Sequence, residues 1–395
     1  MDSPDASLSP WRATLAAFCA LLVGIGLARF AYTPLIPPLI AEGWFTPGGA
    51  AYLGAANLAG YLAGALVGRR LAVGRSAATV LRPVMLLATL AFFACAVPLS
   101  FLWFFAWRFA AGFAGAVLMV LAAPSVLPHV PAARHGLASG LIFAGVGLGI
   151  AASGTVVPLF LRLGLTEAWI GLGLMALVLT LAAWGGWPKE PIAAAPAAAP
   201  HAGPVRTDPA LAMLYVGYGL CAAGLVPHMV FLVDFIARGL EQGLEAGARY
   251  WVLFGIGAML GPVLVGHAAD RMGFRRALRL AYAAQALAVA LPVVSTGPAA
   301  MMISSLAIGA FVPGISSLAL GRMHELTADD ARARRAGWSV ATAGFACGQA
   351  IAAYGFSYLY ARTGGYDLLF GLGAGAFLLA LALDLAGGAR RRSNA

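Results

Sequence analysis

The sequence predicts an all-α polytopic membrane protein: twelve transmembrane helices arranged as two pseudo-symmetric six-helix bundles. Three observations lead there. The 395 residues are 61% hydrophobic and only 10% charged, with a mean hydropathy of +0.87, whereas a soluble domain carries about 25% charge. Apolar stretches of roughly 20 residues, long enough to cross a bilayer at about 1.5 Å rise per residue, recur along nearly the whole chain. The basic residues are also split unevenly between alternate loops. The alternating apolar–polar pattern of an outer-membrane barrel is absent.

Spans are expected at 12–40, 48–68, 79–98, 101–127, 135–161 and 167–187, then at 209–237, 248–268, 277–297, 298–322, 336–360 and 367–387. With the N-terminus inside, the cytoplasmic segments carry Arg12, Arg69, Arg70, Arg75, Arg82, Arg134, Lys189 and Arg206 in the first half. In the second half they carry Arg271, Arg275, Arg276, Arg279, Arg322, Arg332, Arg334, Arg335 and Arg390, Arg391 and Arg392, making nineteen of the 25 basic residues. The opposite segments carry four, Arg162, Arg238, Arg249 and Arg362; Arg29 and Arg108 fall within spans. Lys and Arg collect in cytoplasmic loops, so both termini are expected in the cytoplasm and the chain in the inner (cytoplasmic) membrane.

The same rule absorbs the net charge of +10, and no nucleic-acid partner is expected. Cys19, Cys95, Cys221 and Cys347 sit singly in apolar segments and read as packing residues, with no metal site, disulfide framework or cofactor. Asp2 and Asp5, with no basic residue in the first ten, argue against a signal peptide.

The Ala/Pro-rich stretch after Trp187 cannot build a packed core and reads as a solvated linker. It divides the chain into a first bundle (1–187), a cytoplasmic linker (188–208) and a second bundle with a basic tail (209–395). The halves echo each other, as duplicated transporter bundles do. Gly24-Ile-Gly26-Leu27 with Pro34 matches Gly217-Tyr-Gly219-Leu220 with Pro227. Tyr52 and Gly68 match Tyr250 and Gly266. Gly147-x-x-Ile-Ala-Ala-x-Gly154 matches Gly348-x-x-Ile-Ala-Ala-x-Gly355.

After span eight the chain reads Gly266-His-Ala-Ala-Asp270-Arg271-Met-Gly273-Phe-Arg275-Arg276, and span four reads Arg108-x-x-x-Gly112-x-x-Gly115. With the 6+6 layout, these resemble the signature loop and span-four arginine motif of the major facilitator superfamily. The opening Gly26-Leu-Ala-Arg29-Phe30-Ala-Tyr32-Thr-Pro34-Leu-Ile-Pro37-Pro38 is similar to its YbfB/YjiJ-type branch. The resemblance covers about residues 12–387. It implies that the loop carboxylate, Asp270, caps the start of span five near Arg134 and closes a cytoplasmic gate. The equivalent first-half loop, Gly68-Arg69-Arg70-Leu-Ala72-Val-Gly74-Arg75, contains no acid, so such a latch would be one-sided. A plain turn at Gly273 is the alternative.

Ionisable residues inside a membrane are functional candidates because each costs roughly 2.5–3.5 kcal/mol to insert. Arg29 shares a helical face with Tyr32 and Thr33, next to prolines that free backbone carbonyls. Its guanidinium could grip a carboxylate or phosphate with two bonds or tie helices together through backbone carbonyls. By the resemblance, Arg108 faces the central cavity. Two cavity cations without an acid at matching depth favour an anionic or polar solute. Asn57, Tyr218 and Gln349 are expected either as cavity hydrogen-bonders or as interhelical contacts. Asp234 reads as a proton carrier or as the partner of Arg238, four residues on. His228 reads as a second carrier or as a packing residue.

The expected function is a secondary active transporter, not an enzyme, moving a small organic solute by alternating access. Proton coupling follows from the resemblance and from the lack of a nucleotide-binding loop. The expected partners are the lipid bilayer, the solute and protons, and the chain reads as a monomer. The alternatives are efflux through an apolar pocket, or a membrane sensor that does not transport.

Overall fold

The computed structural model describes residues 9–131, 134–190, 209–327 and 331–393. Twelve long helices follow one another: α1 (Pro10–Ala41), α2 (Pro47–Ala72), α3 (Ala77–Cys95), α4 (Phe101–His129), α5 (His135–Leu161) and α6 (Leu165–Ala183), then α7 (Pro209–Gly239), α8 (Gly243–Met272), α9 (Phe274–Val294), α10 (Pro298–Leu326), α11 (Ala331–Thr363) and α12 (Asp367–Ser393). Among the described residues eleven are long and apolar enough to span a membrane; α11 is the twelfth span and carries more polar residues. No described residue is in a strand. Beyond Glu190, the linker expected at 188–208 lies outside the described residues.

Local chemistry explains several boundaries. Thr46, Ser76 and Ser100 each accept a hydrogen bond from a first-turn backbone N–H, Gly49 (3.1 Å), Thr79 (3.2 Å) and Trp103 (3.1 Å), and so start α2, α3 and α4. The α8–α9 turn is made at Gly273, whose φ of 81° suits a residue without a Cβ. Val263, Leu287 and Val294 are each more than 70% exposed, as expected of side chains that face lipid tails.

The helices pack as two bundles of six, with α2 against α11 and α5 against α8 joining them. Backbones come unusually close at glycines. A Cβ on Gly60 or Gly64 would strike the carbonyls of Phe109 or Phe113, and one on Gly112 would strike that of Asn57. In the second bundle Gly257 and Gly261 meet the carbonyls of Leu306 and Ala310, and Gly309 meets that of Phe254. Every residue of the first set lies 197 positions before its counterpart. The α2/α4 crossing is thus repeated residue for residue by α8/α10, one position away from the 198 register expected from Tyr52/Tyr250.

The two most buried of the described spans are irregular. α1 passes from α-helix into a π-turn at Leu22–Leu27 and a 3₁₀ segment at Phe30–Leu35, then resumes at Ile36. Pro34 lacks an N–H and clashes with the preceding turn, and Pro37 and Pro38 follow. α7 carries π-turns at Pro227–Phe231 and Phe235–Gly239, the first beginning at its own proline.

The described contacts between bundles run from mid-membrane to the face away from the termini. There Gly48 meets Ala361, Tyr52 meets Tyr354, Gly154 meets Val252, and Trp251 Nε1 donates to Ser153 Oγ (3.1 Å). Towards the termini, a Cβ on Gly140, Gly266 or Gly344 would meet open space. Among the described residues the bundles close on one face, and on the other these three glycines have no neighbour within 4 Å.

Candidate functional site

The break in α1 makes the site. Ala28, at the end of the π-turn, offers its carbonyl to Arg108 Nη1 (2.8 Å), with Asn57 Nδ2 at 3.5 Å. Asn57 Nδ2 also donates to the Arg108 carbonyl (3.2 Å). α1, α2 and α4 are thereby tied together around one irregular turn. The Arg108 guanidinium lies over the Tyr32 ring, 4.1 Å from its centroid, and Tyr32 donates its hydroxyl to the Ala50 carbonyl (2.8 Å).

Two side chains of α1 reach the other bundle. Thr33 Oγ1 donates to the Met229 carbonyl (2.6 Å) in the π-turn of α7. Arg29 Nη2 donates to Gln349 Oε1 (2.5 Å) on α11, and its guanidinium lies over Tyr61 at 4.7 Å. A cavity of about 20 Å³ lies between Arg29, Tyr32, Thr33, Asn57, Arg108 and Met229, enough for about one water molecule. Around it Arg29 Nε, Arg108 Nε and Asn57 Oδ1 are buried without a hydrogen-bond partner. Among the described residues neither arginine forms a salt bridge: the four ion pairs lie elsewhere. The site therefore holds two cations and no balancing anion.

The remaining predicted residues lie apart. Tyr218 is in the second bundle, where its hydroxyl meets Ser316 Oγ (2.7 Å) and its ring packs on Phe345 and Trp338. Asp234 is fully buried near the closed face. It accepts from Arg238 Nε (2.6 Å) and Nη2 (2.9 Å), Tyr360 (3.0 Å) and Tyr366 (2.7 Å), so the local pair with Arg238 is formed and reinforced. His228 Nε2 donates to Ser304 Oγ (2.7 Å), Ser304 Oγ donates in turn to the Ala288 carbonyl (2.6 Å), and His228 Nδ1 has no partner.

At the signature loop, Asp270 is exposed and makes no hydrogen bond or ion pair with a described residue; in this conformation it does not dock on the start of α5. Glu325 of α10 instead accepts from the first N–H of α9, at Phe274 (3.1 Å), while pairing with Arg322 (2.7 Å). That carboxylate is absent from the sequence expectations, as is the pairing of Gln349 with Arg29. A signal for the latter was present: in the α5/α11 repeat Gln349 stands where the first bundle has Leu148, a polar residue replacing an apolar one.

The comparisons with known proteins agree with this architecture. The profile of a family described as "Uncharacterised MFS-type transporter YbfB" matches residues 21–385. The chain belongs to this family. It is a multi-pass membrane transporter of the major facilitator type, not an enzyme. A search of curated protein sequences finds no match. Among solved structures, a point mutant of the nucleoside transporter NupG superposes with a TM-score of 0.73 at 15% identity, over 96% of this chain and 99% of that one. The xylose transporter XylE from E. coli, in a partially occluded inward-open conformation, superposes with a TM-score of 0.69 at 13% identity, over 94% and 96%. At such identities the likeness is one of fold.

Proposed function

We propose that this transporter moves a small anionic solute across the inner membrane by alternating access, with Arg29 as the anion-binding group. The observation that carries this reading is the pair of guanidiniums around one mid-membrane cavity with no carboxylate beside them. A buried charge without a counter-ion is costly, and a solute carboxylate or phosphate supplies what the site lacks. NupG and XylE are named for a nucleoside and a sugar, which supports a small polar organic solute. Arg108 has a backbone carbonyl as partner and holds the α1 break, whereas Arg29 is only half-buried and has a side-chain amide oxygen as its partner.

With both termini cytoplasmic, the face on which the bundles close is the external one, and the conformation is inward-facing. Proton coupling completes the proposal. Of the two candidate carriers, His228 keeps an unoccupied accepting atom at Nδ1, while both oxygens of Asp234 are engaged. The chain acts as a monomer, with the lipid bilayer, the solute and protons as its partners.

The test is thermal stabilisation of the purified protein by organic acids, sugars and cationic dyes, repeated with Arg29→Lys and Arg29→Gln. Binding raises the melting temperature by mass action. Lysine keeps the charge but loses the planar fork, so acids should bind Arg29→Lys appreciably more weakly and Arg29→Gln more weakly still. Equal affinity in all three forms would sink the anion site and favour efflux through an apolar pocket.

A further inference from the structure

The Arg29–Gln349 hydrogen bond spans the two bundles, and its chemistry is unusual for a structural tie. Arg29 has five N–H donors but gives one hydrogen bond, to an amide oxygen, while its Nε stays buried and unpartnered. Gln349 is 1% exposed, yet its other end is barely held: Nε2 reaches only the Met229 sulfur at 3.4 Å, a weak acceptor. Its backbone, by contrast, is fixed, because neighbouring Gly348 packs directly on Gly219 of the same bundle. The Gln349 side chain can therefore leave Arg29 without moving its helix, and little else would keep it in place.

The cross-bundle hydrogen bonds among the described residues are three: Arg29–Gln349, Thr33–Met229 and Trp251–Ser153. Arg29–Gln349 alone involves a charged group, and that group lines the cavity. An amide oxygen carries a partial charge and a carboxylate a full one, and a carboxylate can also accept two parallel N–H bonds from one guanidinium.

We propose that Gln349 is an anion surrogate. In the empty transporter it occupies Arg29 and ties α11 to α1, and an incoming carboxylate takes its place and frees the bundles to rock. The empty carrier is thereby held with one face closed until a solute arrives. This rests on the reading of Arg29 as the anion-binding group.

The test uses the full-length chain in nanodiscs with the exposed Cys347 changed to Ser. Gly48→Cys and Ala361→Cys are added as a reporter, since these positions touch across the closed face. The rate of disulfide formation between them reads closure. Without ligand, Gln349→Ala should slow cross-linking about tenfold, the effect of losing one charge-assisted hydrogen bond. Gln349→Leu, which keeps the bulk without the oxygen, should do the same.

Succinate, benzoate and inorganic phosphate, against sodium chloride at equal ionic strength, serve as probes. At least one should slow cross-linking in the otherwise wild-type reporter and bind Gln349→Ala about tenfold more tightly, because the internal competitor is gone. Gln349→Glu places a permanent carboxylate on Arg29 and should respond to none of them. Anions that bind while Gln349→Ala and Gln349→Leu cross-link at the unmodified rate would overturn the latch and leave the anion site standing. Slowed cross-linking in both variants, with no response to any anion in any form, would overturn the surrogate role and the anion reading beneath it.

Discussion

The two bundles share a scaffold and differ where the site is. Gly60, Gly64 and Gly112 reappear 197 residues later as Gly257, Gly261 and Gly309, each against the equivalent carbonyl. At the same offset Asn57 becomes Phe254 and Arg108 becomes Ser305, and in the α1/α7 alignment Arg29 becomes Ala222. The first bundle uses its copy of the crossing to hold two guanidiniums and a broken helix. The second offers Phe254 to pack on Phe30, and a Ser305 hydroxyl with no partner. In lipid, where helices associate through close packing, the glycines are constrained in both copies by backbone meeting backbone. The side chains facing the cavity carry no such constraint and have diverged. The molecule is symmetric in how it stands and asymmetric in what it binds.

The largest expected effect tests the symmetric part. Gly112→Ala and Gly309→Ala should each destabilise by about 3 kcal/mol or more, since the added methyl meets a carbonyl and not a side chain that can turn aside. Melting temperature in lipid would check it, and a variant tolerated in one bundle alone would break the equivalence of the crossings.

Asp234 sharpens the asymmetric part. Its counterpart in the first bundle is Ala41, and Asp234→Asn should cost about 3 kcal/mol, the low end for breaking a buried pair because Arg238 is partly solvated. The loss should appear without any ligand. An unchanged melting temperature together with abolished transport would instead make Asp234 a carrier.

Arg108→Lys is expected to cost about 1.5–3 kcal/mol in the empty protein, through the lost bond to Ala28, whereas Arg29→Lys should change the empty protein's melting temperature little. Comparing the two melting curves separates the arginine that builds the site from the one that uses it. Ser305→Ala, at the position equivalent to Arg108, should be neutral or slightly stabilising, because its hydroxyl is buried unsatisfied. A marked loss there would reveal a polar role in the second bundle.

Much of the fold was legible because its signals are local or cumulative. Length and hydropathy mark the spans, and the expected boundaries of α4, α5 and α10 fall within a few residues of those observed. Gly60, Gly64 and Gly68 share one four-residue spacing, yet Gly60 and Gly64 meet α4 backbone closely while Gly68 keeps ordinary distance from Val117. Arg29, Tyr32, Thr33, Asn57 and Arg108 were nameable as candidates because polar groups in apolar helices stand out. Tyr218 stood out equally and lies elsewhere, since its facing depends on how α7 is rotated against α10 and α11.

What the sequence by itself determined is the solvent and the count: a chain this apolar must live in lipid, and runs of about 20 residues must cross it as helices, because backbone groups in hydrocarbon have only each other to bond. What only the tertiary structure decided is the pairing. Arg29 and Gln349 are 320 residues apart, and Arg108 finds its acceptor in a carbonyl that ordinary helix geometry would have engaged. Such bonds depend on where two bundles meet and where one helix breaks, which no local pattern encodes.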